Sequence, residues 1–201
     1  MSDKNYFYLL RHGTKEKNPD THHSLWELSE SGKAQAVRMI PVLLDLGIDT
    51  IISSPFPRCL QTIEPFATKQ GLSIETDTRL QEKLTSHSLI KNFSEIYRKA
   101  WTYRNFALAG TESARSCLNR FNESIKEHTH KNPQGNIVFS THGHVISFFL
   151  NMLDPNFGYK DSLHISNPQL FRICHNNGKF YWSKLLDQQW DPQKRFLDPE
   201  A

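Results

Sequence analysis

Apolar residues along this chain follow two rhythms, and the rhythms alternate. Short unbroken runs at residues 6–10, 50–53 and 136–140 have the length and the β-branched or aromatic content of buried strands. Between the first two, Ala36, Val37, Ile40, Leu43 and Leu44 recur at helical spacing and predict a helix over residues 33–46, with Ser29 or Ser31 as its cap and Gly47 ending it. A second helix is predicted to start near Pro57, whose missing amide hydrogen suits a first turn, and Pro65 is expected to kink it or end its first piece. Residues 73–75 and 78–80 predict a short edge strand and the loop that leaves it.

The second half continues the alternation. A helical stretch over residues 89–106 carries an aromatic stripe of Phe93, Ile96, Tyr97, Trp101 and Phe106, which at this spacing is expected to cover the sheet edge. Thr111 is expected to cap a long amphipathic helix to about residue 130; a helix over 145–152 and strands near 170–174 and 180–185 follow. Strand and helix in turn are the signature of crossover connections. The expected fold class is α/β, a single-domain three-layer α/β/α sandwich over residues 1–201 with a mostly parallel central sheet, a short helical insert near the site at about 83–109, and a C-terminal surface extension at about 187–201.

Composition narrows the function classes. A chain of 201 residues can be served by one core. The formal charge of +3, with acidic residues interspersed throughout, leaves no electrostatic footprint for nucleic acid. Cys59, Cys117 and Cys174 are widely spaced and odd in number, which argues against a disulfide framework and for a reducing compartment. No apolar run approaches membrane-spanning length and no signal segment stands at the start, so a cytoplasmic protein is expected.

Chemistry concentrates where the strands end. The first strand runs directly into Arg11-His12-Gly13, a later one into Thr141-His142-Gly143-His144, and the one between leads through Ser54-Pro55-Phe56-Pro57 to Arg58. Strand ends are where open α/β sheets build their sites. Two imidazoles and two guanidiniums converging on one sheet edge describe an oxyanion site, and a phosphoryl group is the richest such ligand. His22-His23 and His142-X-His144 have plausible metal spacing, but His/Cys ligand clusters are missing and Arg11 repels a cation, so neither metal nor cofactor is expected.

Together these elements resemble the histidine phosphatase superfamily, the group that contains cofactor-dependent phosphoglycerate mutases and many small phosphatases. The resemblance runs from about residue 6 to residue 175. It rests on Arg11-His12-Gly13; on a Leu-Ser-X-X-Gly-X-X-Gln-Ala pattern from Leu28 to Ala36; on Ser-Ser-X-X-X-Arg-X-X-Gln-Thr from Ser53 to Thr62; on Gly110-Thr-Glu-Ser113, a Gly-Glu-Ser element with one insertion; and on Ser140-Thr-His-Gly143. It implies His12 as a nucleophile that forms a phosphohistidine, Glu82 as proton donor, Arg11, Arg58 and His142 around the phosphoryl group, and Asn18 on the phosphate side. Gly13 and Gly143 are expected either to let backbone approach the phosphate or to serve a tight turn. His144 replaces a residue usually small or amide-bearing in the family, and is expected either to contact substrate or to face solvent.

The residue chemistry supports these roles independently. A neutral imidazole nitrogen attacks phosphorus, and flanking guanidiniums disfavour its protonation. The same guanidiniums, with His142 as a further donor, neutralise the equatorial oxygens, while a carboxylic acid protonates a poor alkoxide leaving group. The expected function is a metal-independent, histidine acid phosphatase-type hydrolase of phosphomonoesters acting on a small phosphorylated substrate. The alternatives are a phosphoglycerate mutase, a non-catalytic phospholigand sensor and a regulatory phosphoprotein phosphatase. Only 27 residues, 83 to 109, separate Glu82 from Gly110, a short insert for clamping a second phosphate, and Thr14 stands where family mutases commonly carry Glu. Tyr97, Arg98, Lys99, Trp101, Tyr103 and Arg104 are expected to form a lid over a small site. The physiological ester and the oligomeric state are not written in these patterns.

Overall fold

The computed structural model describes residues 5–84, 93–176 and 179–185. Six strands, β1 (Asn5–Arg11), β2 (Thr50–Ser53), β3 (Ile74–Thr76), β4 (Ile137–Thr141), β5 (Gln169–Asn176) and β6 (Lys179–Lys184), form one sheet in the order β3-β2-β4-β1-β5-β6. β3, β2, β4 and β1 are mutually parallel, and β5 and β6 extend the sheet antiparallel. The fold is therefore the mixed α/β sheet expected, mostly parallel at its centre.

Both faces of the sheet are covered, which is why its strands are unbroken apolar runs. Phe7, Leu9, Ile52, Ile137 and Phe139 face one core, shared with α3 (Phe93–Thr102), α4 (Ala114–Lys131) and α5 (Gly143–Leu153). Tyr8, Leu10, Ile51 and Val138 face the other, packed on α1 (Glu30–Asp45) and α2 (Pro57–Gln70). A single turn, α6 (Tyr159–Ser162), lies between α5 and β5.

Four expectations are corrected. α1 buries Gly32, Ala36, Met39, Val42 and Leu43, whereas Val37 and Leu44 are 56% and 38% exposed; the contact stripe lies about 100° round the helix from them, one residue step at 3.6 residues per turn. α2 runs through Pro65 without ending, because Cys59, Ile63, Phe66 and Ala67 are buried on both sides of the proline and hold the helix to the sheet. Ser113, not Thr111, caps α4 by accepting from the Ser116 N–H; the Thr111 hydroxyl is used in the turn with Leu108. The helix of the insert spans only Phe93–Thr102, and residues 103–113 are irregular. The expected helix start at residue 89 and the C-terminal extension lie outside the described residues.

Register places the site. Arg11 pairs with Thr141 and Ser53 with Ser140, and the ladders continue one step through the His12 N–H to Thr141 C=O (3.1 Å) and the Ser54 N–H to Ser140 C=O (2.9 Å). The C-terminal ends of β1, β4 and β2 thus stop side by side.

Candidate active site

The turn after β1 is held by residues of α1 and α2. The Gly13 N–H donates to Thr62 Oγ1 (2.9 Å), whose hydroxyl donates to the Arg58 C=O (2.6 Å). Gln35 Oε1 accepts the Thr14 N–H and Gln61 Oε1 accepts the Leu28 N–H, both at 2.8 Å. A Cβ on Gly32 would stand 2.0 Å from the Thr14 carbonyl oxygen, so only glycine lets α1 approach this turn. A Cβ on Gly13 would in turn stand 3.0 Å from the Gly32 carbonyl oxygen, which makes close packing of turn on helix the immediate use of that glycine.

His12 and His142 come together, with ring centroids 5.3 Å apart and both residues buried. His12 Nδ1 lies 2.7 Å from the Gly13 carbonyl oxygen, which only accepts, so Nδ1 carries the proton and Nε2 the lone pair. Arg58 Nε donates to that lone pair at 3.2 Å, and its Nη2 lies 3.0 Å from His142 Nδ1. A guanidinium only donates, so this bridge requires both imidazoles to be neutral. Burial, then the charge of Arg58, pushes both well below the ordinary histidine range; Arg11 and Lys15 add to the effect at His12.

His142 was expected as a further donor to the anion. Here its Nδ1 accepts from Arg58, and Nε2, which then bears the proton, faces Ser54 Oγ at 2.8 Å. Its hydrogen bonds orient Arg58. Arg58 is itself buried and also donates to the His23 C=O at 2.7 Å, with its guanidinium over the Phe56 ring at 4.9 Å.

Arg11 reaches across the edge to donate to the Ile165 C=O, and its Nε is buried with no hydrogen-bond partner among the described residues. A Cβ on Gly143 would stand 3.0 Å from the Arg11 guanidinium carbon, so that glycine makes room for Arg11, which answers the two uses expected of it differently. Glu82 lies on the far side. Its Oε1 is 3.5 Å from His144 Nδ1, and it takes the Lys83 N–H at 2.9 Å. Burial pushes the Glu82 carboxyl up, but His144, His142 and the Lys83 N–H outweigh it and hold the group well below the usual carboxylate range. His144 neither faces open solvent nor stands apart: it packs on Tyr97 at 4.2 Å.

The expected lid helix divides in two. Tyr97 is buried and packs with Trp101 on Phe148 of α5, Arg104 lies over the Trp101 ring at 4.5 Å, while Arg98, Lys99 and Tyr103 point outward. Asn18 does not join the cluster: it is exposed, its Oδ1 accepts the Asp20 N–H, and its carbonyl takes the Trp26 indole N–H. The amide that does reach His12 is Asn167, whose Nδ2 donates to the His12 C=O at 2.8 Å. Lys15 was also missed. It is half-buried over Trp26, and burial, then Arg58, lowers its ammonium to about 8. Cys59 lies beside His142, but burial pushes its thiol up to about 12, leaving it a neutral packing group. Among the described residues, no group of three His, Cys, Asp or Glu side chains is placed to hold a metal ion, and no helix is long and apolar enough to cross a membrane.

The family model described as histidine phosphatase superfamily (branch 1) matches residues 7–188. The chain belongs to this superfamily. Among curated relatives of this superfamily member, the protein named probable phosphoglycerate mutase GpmB of Escherichia fergusonii is 30% identical over 111 residues, covering 54% of this chain and 52% of that protein. The uncharacterized protein Rv0525 of Mycobacterium tuberculosis is 31% identical over 85 residues, 41% of this chain and 42% of its own length. The chain spans about half the length of the curated relatives it matches, or less. Among solved structures, mycobacterial glucosyl-3-phosphoglycerate phosphatase Rv2419c with inorganic phosphate superposes with a TM-score of 0.70 at 23% identity, covering 89% of this chain and 94% of that one. The phosphoglycerate mutase from Bacillus anthracis gives 0.72 at 19% identity, with 91% and 93% covered. Identities this low establish the shared fold.

Proposed function

We propose that this superfamily member is a metal-independent phosphomonoester hydrolase that works through a phosphohistidine on Nε2 of His12. The observation that carries the reading is the tautomer of His12: the Gly13 carbonyl fixes the proton on Nδ1, so Nε2 presents a lone pair beside the Arg58 guanidinium. As the phosphoryl group arrives, its oxygens take the N–H groups of Arg58 and the unpartnered Nε–H of Arg11, satisfying a buried donor that otherwise costs about 1–3 kcal/mol. These donors neutralise the charge of the transferring group where a metal ion serves other enzymes, and their own charge repels a cation from the same place.

Glu82 is the proton donor in this reading. Its carboxyl is ionised in the arrangement described, and a phosphate dianion brought beside it raises its proton affinity by like-charge repulsion. After the alcohol leaves, the carboxylate accepts a proton from the water that attacks phosphohistidine. The test is hydrolysis of a panel of phosphorylated metabolites in the presence of a chelator, with the phosphoenzyme trapped by rapid acid-free quench. Phosphate release and trapping that both vanish in His12→Ala support the reading; interconversion of phosphoglycerates without phosphate release replaces it with the mutase.

A further inference from the structure

The segment that carries Glu82 is held by one side chain of α4. Arg120 Nη1 donates to the carbonyl oxygens of Arg79 (2.6 Å) and Gln81 (2.8 Å), and Nη2 donates to the carbonyl of Glu82 itself (3.2 Å). Its remaining donors go to Glu112: Nε to Oε2 at 3.0 Å, and Nη2 to Oε1. A guanidinium has five N–H donors in one rigid plane, and here all five have acceptors, so the group has no freedom to rotate.

Glu112 closes the clamp from the other end. Its Oε1 accepts the Leu84 N–H at 2.8 Å, and its own backbone N–H donates to the Leu84 carbonyl at 3.2 Å. Residues 81–84 are neither helix nor strand, so the Gln81 and Glu82 carbonyls have no ladder to bind them. One ion pair supplies what secondary structure does not. The Arg120 and Glu112 side chains are 22% and 14% exposed, which shields the pair from solvent competition.

We propose that Arg120, braced by Glu112, is a positioning residue that fixes the Glu82 carboxyl for delivery of a proton to the leaving oxygen; this rests on the reading of Glu82 as the proton donor. Arg120 spends its donors on protein acceptors. Its influence reaches the reaction through the backbone of residues 79–84, one peptide away from the acid it places. A general acid contributes about 10²–10⁴-fold, and a displacement of about 1 Å can cost about 10²-fold.

The leaving group separates this role from simple support of the fold. kcat/KM, which covers the steps through phosphoenzyme formation, is measured for an alkyl phosphate, whose alkoxide needs a proton, and for p-nitrophenyl phosphate, whose phenolate does not. In Arg120→Met the alkyl ester is expected to lose about 10²-fold and the aryl ester only a few-fold. Glu112→Gln, which turns one acceptor into a donor facing Arg120, is expected to move the same way by less. Equal losses on both esters overturn the proposal. Glu82→Gln run alongside distinguishes the two readings: if it too treats the esters alike, the proton-donor assignment fails, whereas selectivity in Glu82→Gln without selectivity in Arg120→Met removes only the clamp. Melting temperatures are recorded for every variant, and if Arg120→Met does not fold, Glu112→Gln decides by the same ratio.

Discussion

Arg58 points its Nε–H at the lone pair of His12 Nε2 across 3.2 Å, so the central cation of the site is hydrogen-bonded to the proposed nucleophile. The contact has two consequences. It holds the imidazole neutral, and it must be exchanged for a phosphate oxygen before phosphorus can reach the same lone pair. Lysine at this position cannot donate to His12, His142 and the His23 carbonyl together. Arg58→Lys is therefore expected to lower kcat by about 10²–10³-fold, the usual loss for one preorganised oxyanion donor. Steady-state kinetics on any accepted ester checks this, and a variant within threefold of the parent would refute it.

The two depressed ionisations set the direction of the pH profile. His12, driven well below the ordinary histidine range by burial and Arg58, stays neutral and nucleophilic on the acid side of neutrality. Glu82, also depressed, is ionised at neutral pH, and its protonated fraction grows as pH falls. kcat/KM for an alkyl phosphate is thus expected to keep rising as the pH falls from 8 through the ordinary histidine range near 6.5, and protonation of His12 reverses it only below that range. A profile that falls through pH 6.5 with the slope of an ordinary histidine would contradict both shifts.

The sheet edge was legible in the sequence for a physical reason. Strands buried on both faces leave unbroken apolar runs, and charged residues at their ends stand out against them; Arg11, His12, Arg58 and His142 were found this way and do converge. What escaped depends on contacts between distant segments. Asn167 reaches His12 across 155 positions with no local pattern to mark it. Lys15 has the look of a solvated loop cation until Trp26 folds over it. Thr111 and Ser113 are equally good caps by type, and only the Leu108 turn, which occupies Thr111, leaves the role to Ser113. Asn18 stands apart for the opposite reason: a motif position marked it, while local hydrogen bonds to Asp20 and Trp26 occupy it.

Gly32 is the motif residue whose substitution should be felt most sharply. A methyl group there meets the Thr14 carbonyl oxygen at 2.0 Å, backbone against backbone, so neither side can swing away. Gly32→Ala should destabilise by about 3 kcal/mol, the upper end of the overpacking range, and should displace the turn that carries His12. Thermal unfolding with a matched assay tests it. An alanine variant with unchanged melting temperature and activity would show that α1 does not abut this turn.

Asp77 anchors the start of the Glu82 segment from a different direction. Its carboxylate accepts from Arg79, Ser124 Oγ (2.6 Å) and His128 Nε2 (3.2 Å). Burial raises its proton affinity, but Arg79, Ser124 and His128 together bring it far below the ordinary carboxylate range. A depressed folded-state pKa contributes stability above the unfolded value of about 3.9 and loses it as pH falls below that. Asp77→Asn should therefore melt lower than the parent at pH 7, with the gap closing below about pH 4. A gap independent of pH would assign the effect to shape alone.

His144 lies against the carboxylate whose proton the reaction is proposed to use. Among the groups that lower the Glu82 pKa it is the foremost, through its charge and through the Nδ1 contact at 3.5 Å. His144→Ala removes that influence while leaving the desolvation that raises the carboxyl, so the Glu82 pKa must move up. The rising limb of kcat/KM against pH should then shift toward neutrality for alkyl phosphates, and activity at pH 7 should increase relative to that at pH 5 even if the maximum falls. Tyr97 offers a control, since it packs on the same imidazole but is not among the foremost influences on the Glu82 pKa. Tyr97→Phe is expected to leave the limb in place. Identical profiles for the parent and His144→Ala would mean that the imidazole merely fills space beside Glu82.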